Sequence, residues 1–309
     1  MSRGQDAGVI ARDLDRMTSR ACGAWLGAAL AVLLGFVAPA KGEESKPTQA
    51  AAAAAQPLDP ELQHAFGRLL VDRTLRMDPT LGVAEARRIL LRRAGLFESV
   101  KEFKLAESDL TTAVQMQPPD SALYIERGYF YMRLGRFSEA SADFLMGTQL
   151  DPANPTLRFA AGRAMAALGD YGQAVTYYDE AIGLAARDPS FYLARAEAQI
   201  RLAQPRDAVA DYDRAIDIKL PRASDRYYAY VGRGYAWMML ANYASAIADF
   251  DRALEIDPRA VSALVWRGYS REMGGQVDLA LNDYERAAAV DPTDRRASES
   301  VRRLRDSGN

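Results

Sequence analysis

Nucleophilic or metal chemistry in this chain would have to run through His64, in the stretch LQHAF, and Cys22, because the 309 residues include one histidine and one cysteine. A Ser-His-Asp relay or a Cys-His pair needs its own imidazole, and a zinc site needs several Cys or His ligands. A lone cysteine also excludes a disulfide framework. No metal, no cofactor and no catalytic residue is therefore expected. Charged residues do recur in a fixed pattern, but of another kind. Arg93, Arg127, Arg195, Arg233 and Arg267 are each followed sixteen residues later by an aspartate: Asp109, Asp143, Asp211, Asp249 and Asp283. A guanidinium and a carboxylate at constant spacing form ion pairs, here half-buried ones that set register. A row of arginines awaiting an anionic ligand would not each bring an aspartate.

The elements that position those charges are legible from the text around them. RGYFYMRLGRFSEASADFLMGTQLDP (127–152) returns as RGYAWMMLANYASAIADFDRALEIDP (233–258) and as RGYSREMGGQVDLALNDYERAAAVDP (267–292). Six alanines mark the period: Ala106, Ala140, Ala174, Ala208, Ala246 and Ala280, at steps of 34, 34, 34, 38 and 34. Twelve residues before each stands a small residue (Ala94, Gly128, Gly162, Ala196, Gly234, Gly268). Four after each stands a bulky one (Leu110, Phe144, Tyr178, Tyr212, Phe250, Tyr284). Spacings of three, four and seven mean helices, and LG, LGD or MGG marks the turn between them. Each unit is then a helix hairpin whose small residues let two backbones approach. In such a hairpin the Arg and Asp sixteen apart face each other. The third unit has Ala161 and Tyr177 there, so both charges are missing together.

These residues resemble the tetratricopeptide repeat, with its 34-residue period and its glycine, alanine, aromatic and terminal proline. Six repeats fit, at 87–120, 121–154, 155–188, 189–222, 227–260 and 261–294, about two-thirds of the chain. The first is worn, with Leu110 for the aromatic and Lys101 at the turn glycine; Ala223 to Arg226 are four extra residues before the fifth. The resemblance implies an all-α fold, a right-handed α-solenoid of six helix hairpins, with a half repeat over 59–86 at the front and a capping helix over 295–309 behind. It implies a concave wall of first helices, lined by the stripe Ile125, Tyr129, Met132, Phe159, Arg163, Ala166, Leu193, Glu197, Ile200, Val231, Tyr235, Met238, Val265, Tyr269 and Glu272. That stripe suits an amphipathic helix or an extended segment with bulky side chains, half of it being spent on packing between repeats. The lysines and asparagines with which one branch of the family grips a C-terminal carboxylate are absent. Self-association through exposed repeat edges is also open.

The ends carry a different message. Residues 21–40, ACGAWLGAALAVLLGFVAPA, are uncharged, follow arginines and close on Ala38-Pro39-Ala40, as a secretory signal cleaved after Ala40 does; Met17 makes a compact start for it. The alternative is an uncleaved inner-membrane anchor through 21–40. Residues 41–58, poor in large apolar side chains, are a flexible linker. With a net charge of −2, nothing points to nucleic acid. The expectation is a periplasmic or secreted, non-catalytic adaptor whose partner is another protein. A membrane-tethered scaffold is the alternative, and an accessory or enzyme acting on envelope polymer a distant one, since Glu197 and Glu272 lie two repeats apart.

Overall fold

The computed structural model describes residues 82–307, all within the unit formed by residues 59–309. Residues 1–81 and 308–309 lie outside, and with them Cys22, His64, the signal or anchor over 1–40, the linker, and all but the last residues of the half repeat at 59–86. No helix among the described residues is long and apolar enough to cross a membrane.

Thirteen α-helices follow one another among the described residues. The first hairpin is α1 (Val83–Ser99) and α2 (Phe103–Gln115); the second is α3 (Ser121–Arg133) and α4 (Phe137–Leu150). Then come α5 (Pro155–Ala167) with α6 (Tyr171–Leu184), and α7 (Pro189–Arg201) with α8 (Pro205–Ile218). The last two hairpins are α9 (Ala223–Met239) with α10 (Tyr243–Ile256) and α11 (Val261–Met273) with α12 (Val277–Val290). Helix α13 (Arg295–Ser307) closes the row. Each helix packs on the next, and first helices also touch across repeats, α3 on α5, α5 on α7, α7 on α9 and α9 on α11; no pair of consecutive second helices touches comparably. The first helices therefore form the tighter, inner layer of an all-α repeat solenoid.

Small residues meet bulky ones inside each hairpin. All six marker alanines are fully buried. A Cβ on Gly128 would stand 2.5 Å from the Phe144 ring, and one on Gly162 would stand 2.5 Å from the Tyr178 ring. Beside these two rings there is no room even for a methyl group, which is why the position is Gly in these repeats.

The hairpin turns share one geometry even where their residues differ. The residue two past the first helix takes positive φ in all six: Lys101, Gly135, Gly169, Ala203, Ala241 and Gly275. The next N–H reaches back to the carbonyl five residues earlier, as from Arg136 to Tyr131 at 2.9 Å and from Asn242 to Trp237 at 2.9 Å. This satisfies carbonyls that the helix end would otherwise leave open. Side chains cap several first helices: Asp120, Asn154 and Asp188 each accept from the N–H two residues on.

Two boundaries differ from expectation. Helix α1 begins at Val83, so residues 83–86 belong to the first repeat rather than to the segment before it; Ala86 is buried on the same face as Leu90, Ala94 and Phe97. The four extra residues Ala223–Arg226 form one added turn at the front of α9, tied down by Arg226 donating to the carbonyls of Leu220 (3.0 Å) and Pro221 (3.1 Å). At the other end, Ala297 and Leu304 of α13 are buried, and Val301 packs partly against the same cluster.

Candidate partner-binding cleft

All five expected ion pairs form, side-on and doubly hydrogen-bonded. Arg93–Asp109, Arg127–Asp143, Arg195–Asp211, Arg233–Asp249 and Arg267–Asp283 have N···O distances between 2.5 and 2.9 Å. Every one of these aspartates is buried. The bonds to the aspartates hold the guanidinium groups of Arg127, Arg195 and Arg233 above their usual range.

Four of the five arginines also do something that the spacing did not disclose. The remaining nitrogen of each crosses into the preceding repeat: Arg195 to Asp179, Arg233 to Asp213 at 2.5 Å, Arg267 to Asp251 at 2.6 Å, and Arg127 to the Thr111 hydroxyl at 3.3 Å. The acceptor is always the residue just after the bulky one of the earlier second helix. The arginines are thus staples, binding one hairpin internally and to its neighbour. None of them is left to catch a ligand. At the third repeat, Ala161 is fully buried and faces no staple, consistent with the joint loss of charge.

The stripe is split between packing and surface. Ile125, Tyr129 and Met132 are half-buried against the core of the first three repeats, and Tyr129 meets Phe144 edge-on at 5.2 Å. Phe159 lies between Tyr178 (5.6 Å) and Phe191 of the next repeat (4.8 Å), so it is inter-repeat packing. Tyr235 likewise meets Trp266 of the next repeat at 5.5 Å, while Met238 is half-buried and Val265 fully buried. Leu193 and Ile200 pack partly on the fourth-repeat core, and Val231 on the C-terminal one. Arg163, Glu197 and Tyr269 are exposed. Glu272 is engaged, receiving Arg303 of α13 through two bonds of 2.6 and 2.8 Å. Glu197 lies in other surroundings, two repeats away, and the two glutamates of the stripe share no site.

Four stripe residues do converge. Arg163, Leu193, Glu197 and Val231 line an open cleft of about 1250 Å³ where the fourth and fifth repeats meet. The irregular segment Lys219–Arg222 and the added turn of α9 make its other wall, presenting Tyr228, the most exposed of the large apolar side chains at 67 %. Its lining also includes Tyr212, whose hydroxyl end presses on Gly232: a Cβ there would stand 2.4 Å from it. Burial raises the Tyr212 phenol above its ordinary range, and the Glu197 and Asp211 carboxylates push the same way, so it stays protonated. Among the described residues no group of acidic, histidine or cysteine side chains is arranged to hold a metal ion.

Comparison with known proteins agrees with this geometry. Tetratricopeptide repeat profiles match residues 125–190 and 227–260. None of the curated proteins matches the sequence. Among solved structures, the C-terminal part of a TPR repeat-containing protein from Cytophaga hutchinsonii superposes with a TM-score of 0.60 at 17 % identity, over 78 % of this chain and 98 % of that one. YrrB, described as a TPR protein with an unusual peptide-binding site, gives 0.55 at 18 % identity, over 62 % of this chain and 96 % of its own. MamA from Desulfovibrio magneticus RS-1 gives 0.52 at 18 % identity, over 57 % and 97 %. At such identities these likenesses speak to the fold alone. With six hairpins on one plan, five of them carrying the same Arg–Asp pair, and with the family's profiles matched over residues 125–190 and 227–260, the chain carries tetratricopeptide repeats.

Proposed function

We propose that this protein is an exported, non-catalytic adaptor that holds a segment of another protein against its first-helix layer, centred on the cleft between the fourth and fifth repeats. The cleft carries this reading. It exceeds the range of small-molecule pockets, about 300–1,000 Å³, and it offers Leu193, Val231 and Tyr228 around an open trough. Elsewhere the stripe is largely consumed by packing, as at Phe159 and Tyr235. YrrB, a TPR protein with an unusual peptide-binding site, is a precedent for the fold.

The test is affinity capture from a bacterial envelope extract with residues 41–309, beside the same protein carrying Tyr228→Ala and Val231→Ala, with circular dichroism confirming equal folding. Loss of a captured protein in the variant supports the cleft; unchanged capture refutes it. Export rests on the uncharged run ending Ala38-Pro39-Ala40. N-terminal sequencing of the protein from cells should begin at Lys41, whereas an intact run would make it a membrane-tethered scaffold.

A further inference from the structure

The cleft has a charge imbalance and a polar group on its floor, and together they describe an occupant. Three cations on it, Arg163, Arg187 and Lys219, have no ion-pair partner among the described residues. Arg163 sits 6.0 Å over the Phe159 ring, which leaves its hydrogen-bonding edge free. A fourth, Arg222, is held by Asp225 at 2.9 Å. On the acidic side, Asp188 is already committed to capping α7, accepting from the Ser190 N–H at 2.9 Å and its hydroxyl at 2.6 Å. Glu197 and the capping Asp188 are thus two carboxylates against three free cations, an excess of positive charge. The staple arginines Arg127, Arg195, Arg233 and Arg267 each hold two acceptors, whereas these three cations, gathered around one trough, are free to meet the carboxylates of a ligand.

The floor narrows the ligand further. Tyr212 is 7 % exposed, yet its hydroxyl has no hydrogen-bond partner among the described residues and borders the cleft beside Gly232. A protonated phenol in that position donates to a carbonyl. An extended chain has backbone carbonyls to offer, whereas a helix has already used its own.

Resting on the adaptor reading above, we infer that the cleft between the fourth and fifth repeats recognises an extended, acidic segment of a partner protein. Its Asp or Glu side chains meet Arg163, Arg187 and Lys219, a bulky apolar side chain lies on Leu193 and Tyr228, and a backbone carbonyl accepts from Tyr212. The site depends on the register break of this chain. Arg187 and Lys219 stand in the connections between repeats, and Lys219 reaches its place because the backbone turns there with a φ of 73°. A regular repeat, which runs Asp-Pro at that point, would put a carboxylate in the position of the lysine.

The probe is a phage-displayed library of random nine-residue peptides, selected on the folded protein, with enriched sequences remade and titrated by fluorescence polarisation. The expected result is enrichment of peptides with two or more Asp or Glu beside a bulky apolar residue. Their affinity should fall at least tenfold with Arg187→Glu and Lys219→Glu together, both exposed positions that leave the core intact, and should weaken as salt is raised. Tyr212→Phe, which removes the hydroxyl alone, should cost about two- to tenfold, the worth of one neutral hydrogen bond. Enrichment of neutral or basic peptides overturns the inference. If those peptides lose binding in Tyr228→Ala but not on charge reversal, the adaptor reading stands while this one falls. If no peptide is enriched above background, both fall.

Discussion

Each staple arginine answers to two repeats, and that makes its two partners unequal. Asp249 is 4 % exposed and has Arg233 as its partner, whereas Arg233 also holds the half-exposed Asp213. Arg233→Met should therefore cost about 3 kcal/mol, because a buried carboxylate is left uncompensated. Asp249→Leu should cost less, since the guanidinium keeps Asp213, and the double variant should be more stable than Arg233→Met alone. Urea titrations of the four proteins check this; simple additivity of the two losses would show that the pair is not coupled. The turn residues offer a second test at the same scale. Ala241 holds a φ of 56°, a conformation that costs an L-residue about 1–2 kcal/mol and glycine little. Ala241→Gly should raise the urea midpoint by an amount worth about 0.5–1 kcal/mol, after the greater freedom of glycine in the unfolded chain is deducted. Gly275→Ala, in the equivalent turn, should do the reverse. A midpoint that drops for Ala241→Gly would reject the account.

What could be seen beforehand follows from how local each interaction is. The hairpin, its marker alanines and the sixteen-residue Arg–Asp spacing live within one repeat, where helix geometry ties sequence distance to spatial distance. The second acceptors, Asp179, Asp213 and Asp251, lie in the preceding repeat, and reaching them depends on how one hairpin is rotated on the next. A signal was present all the same: an acid follows the aromatic of each second helix that precedes a staple arginine, from the third repeat on. The cleft was hidden for the same reason, since four inserted residues announce a break without saying which way the chain turns. Helix α13 shows how an element is held once rotation is known. Asp294 caps it by accepting from the Ala297 N–H at 3.0 Å, Glu272 receives Arg303, and Glu285 receives Arg305 at 2.7 Å. The Arg303 bonds hold the Glu272 carboxyl below its usual range against the opposing effect of burial, and the Tyr284 hydroxyl, donating at 3.1 Å, adds to the lowering. A carboxyl lowered in the folded state contributes stability that is full above its unfolded value, near 4.5, and lost as pH falls through the folded one. Hydrogen exchange across 295–307 should thus quicken, relative to the other helices, as pH drops below about 4.5, once intrinsic rates are corrected. Glu272→Gln should show faster exchange at pH 7 and a smaller change on acidification; an identical acid response in that variant would remove Glu272 from the explanation.

The whole solenoid is a chain of nearest-neighbour contacts, so a defect in the middle should be felt differently from one at an end. Its hairpins share a core continuously, from the Ala94–Ala164 cluster, through Ala174–Ala198 and Ala196–Ala236, to Ala253–Leu304. The joint between the second and third repeats is the one without an arginine staple, relying on the packing of Leu157, Ala160 and Ala161, whereas Arg195 ties the third repeat to the fourth through Asp179. Gly162 sits in the third repeat, with room for no Cβ: one would stand 2.5 Å from the buried Tyr178 ring and 3.2 Å from the Ala174 carbonyl oxygen. Gly162→Val overpacks this point at a cost of about 3 kcal/mol. In a single globular core that loss would be shared and unfolding would stay one cooperative step. Here it should divide the array into a front block of two repeats and a rear block of three with its cap. Urea unfolding should then change from one transition to two, and exchange protection should collapse in 155–184 while persisting in 227–290. Leu193, Lys219 and Tyr228 of the cleft lie in the rear block, which retains the staples Arg233 and Arg267, but Arg163 belongs to the failing repeat, so peptide binding should weaken with the first transition and vanish only with the second. A single, uniformly shifted transition would mean that the repeats are coupled more tightly than their contacts imply, and that the unstapled joint between the second and third repeats is no weaker than the rest.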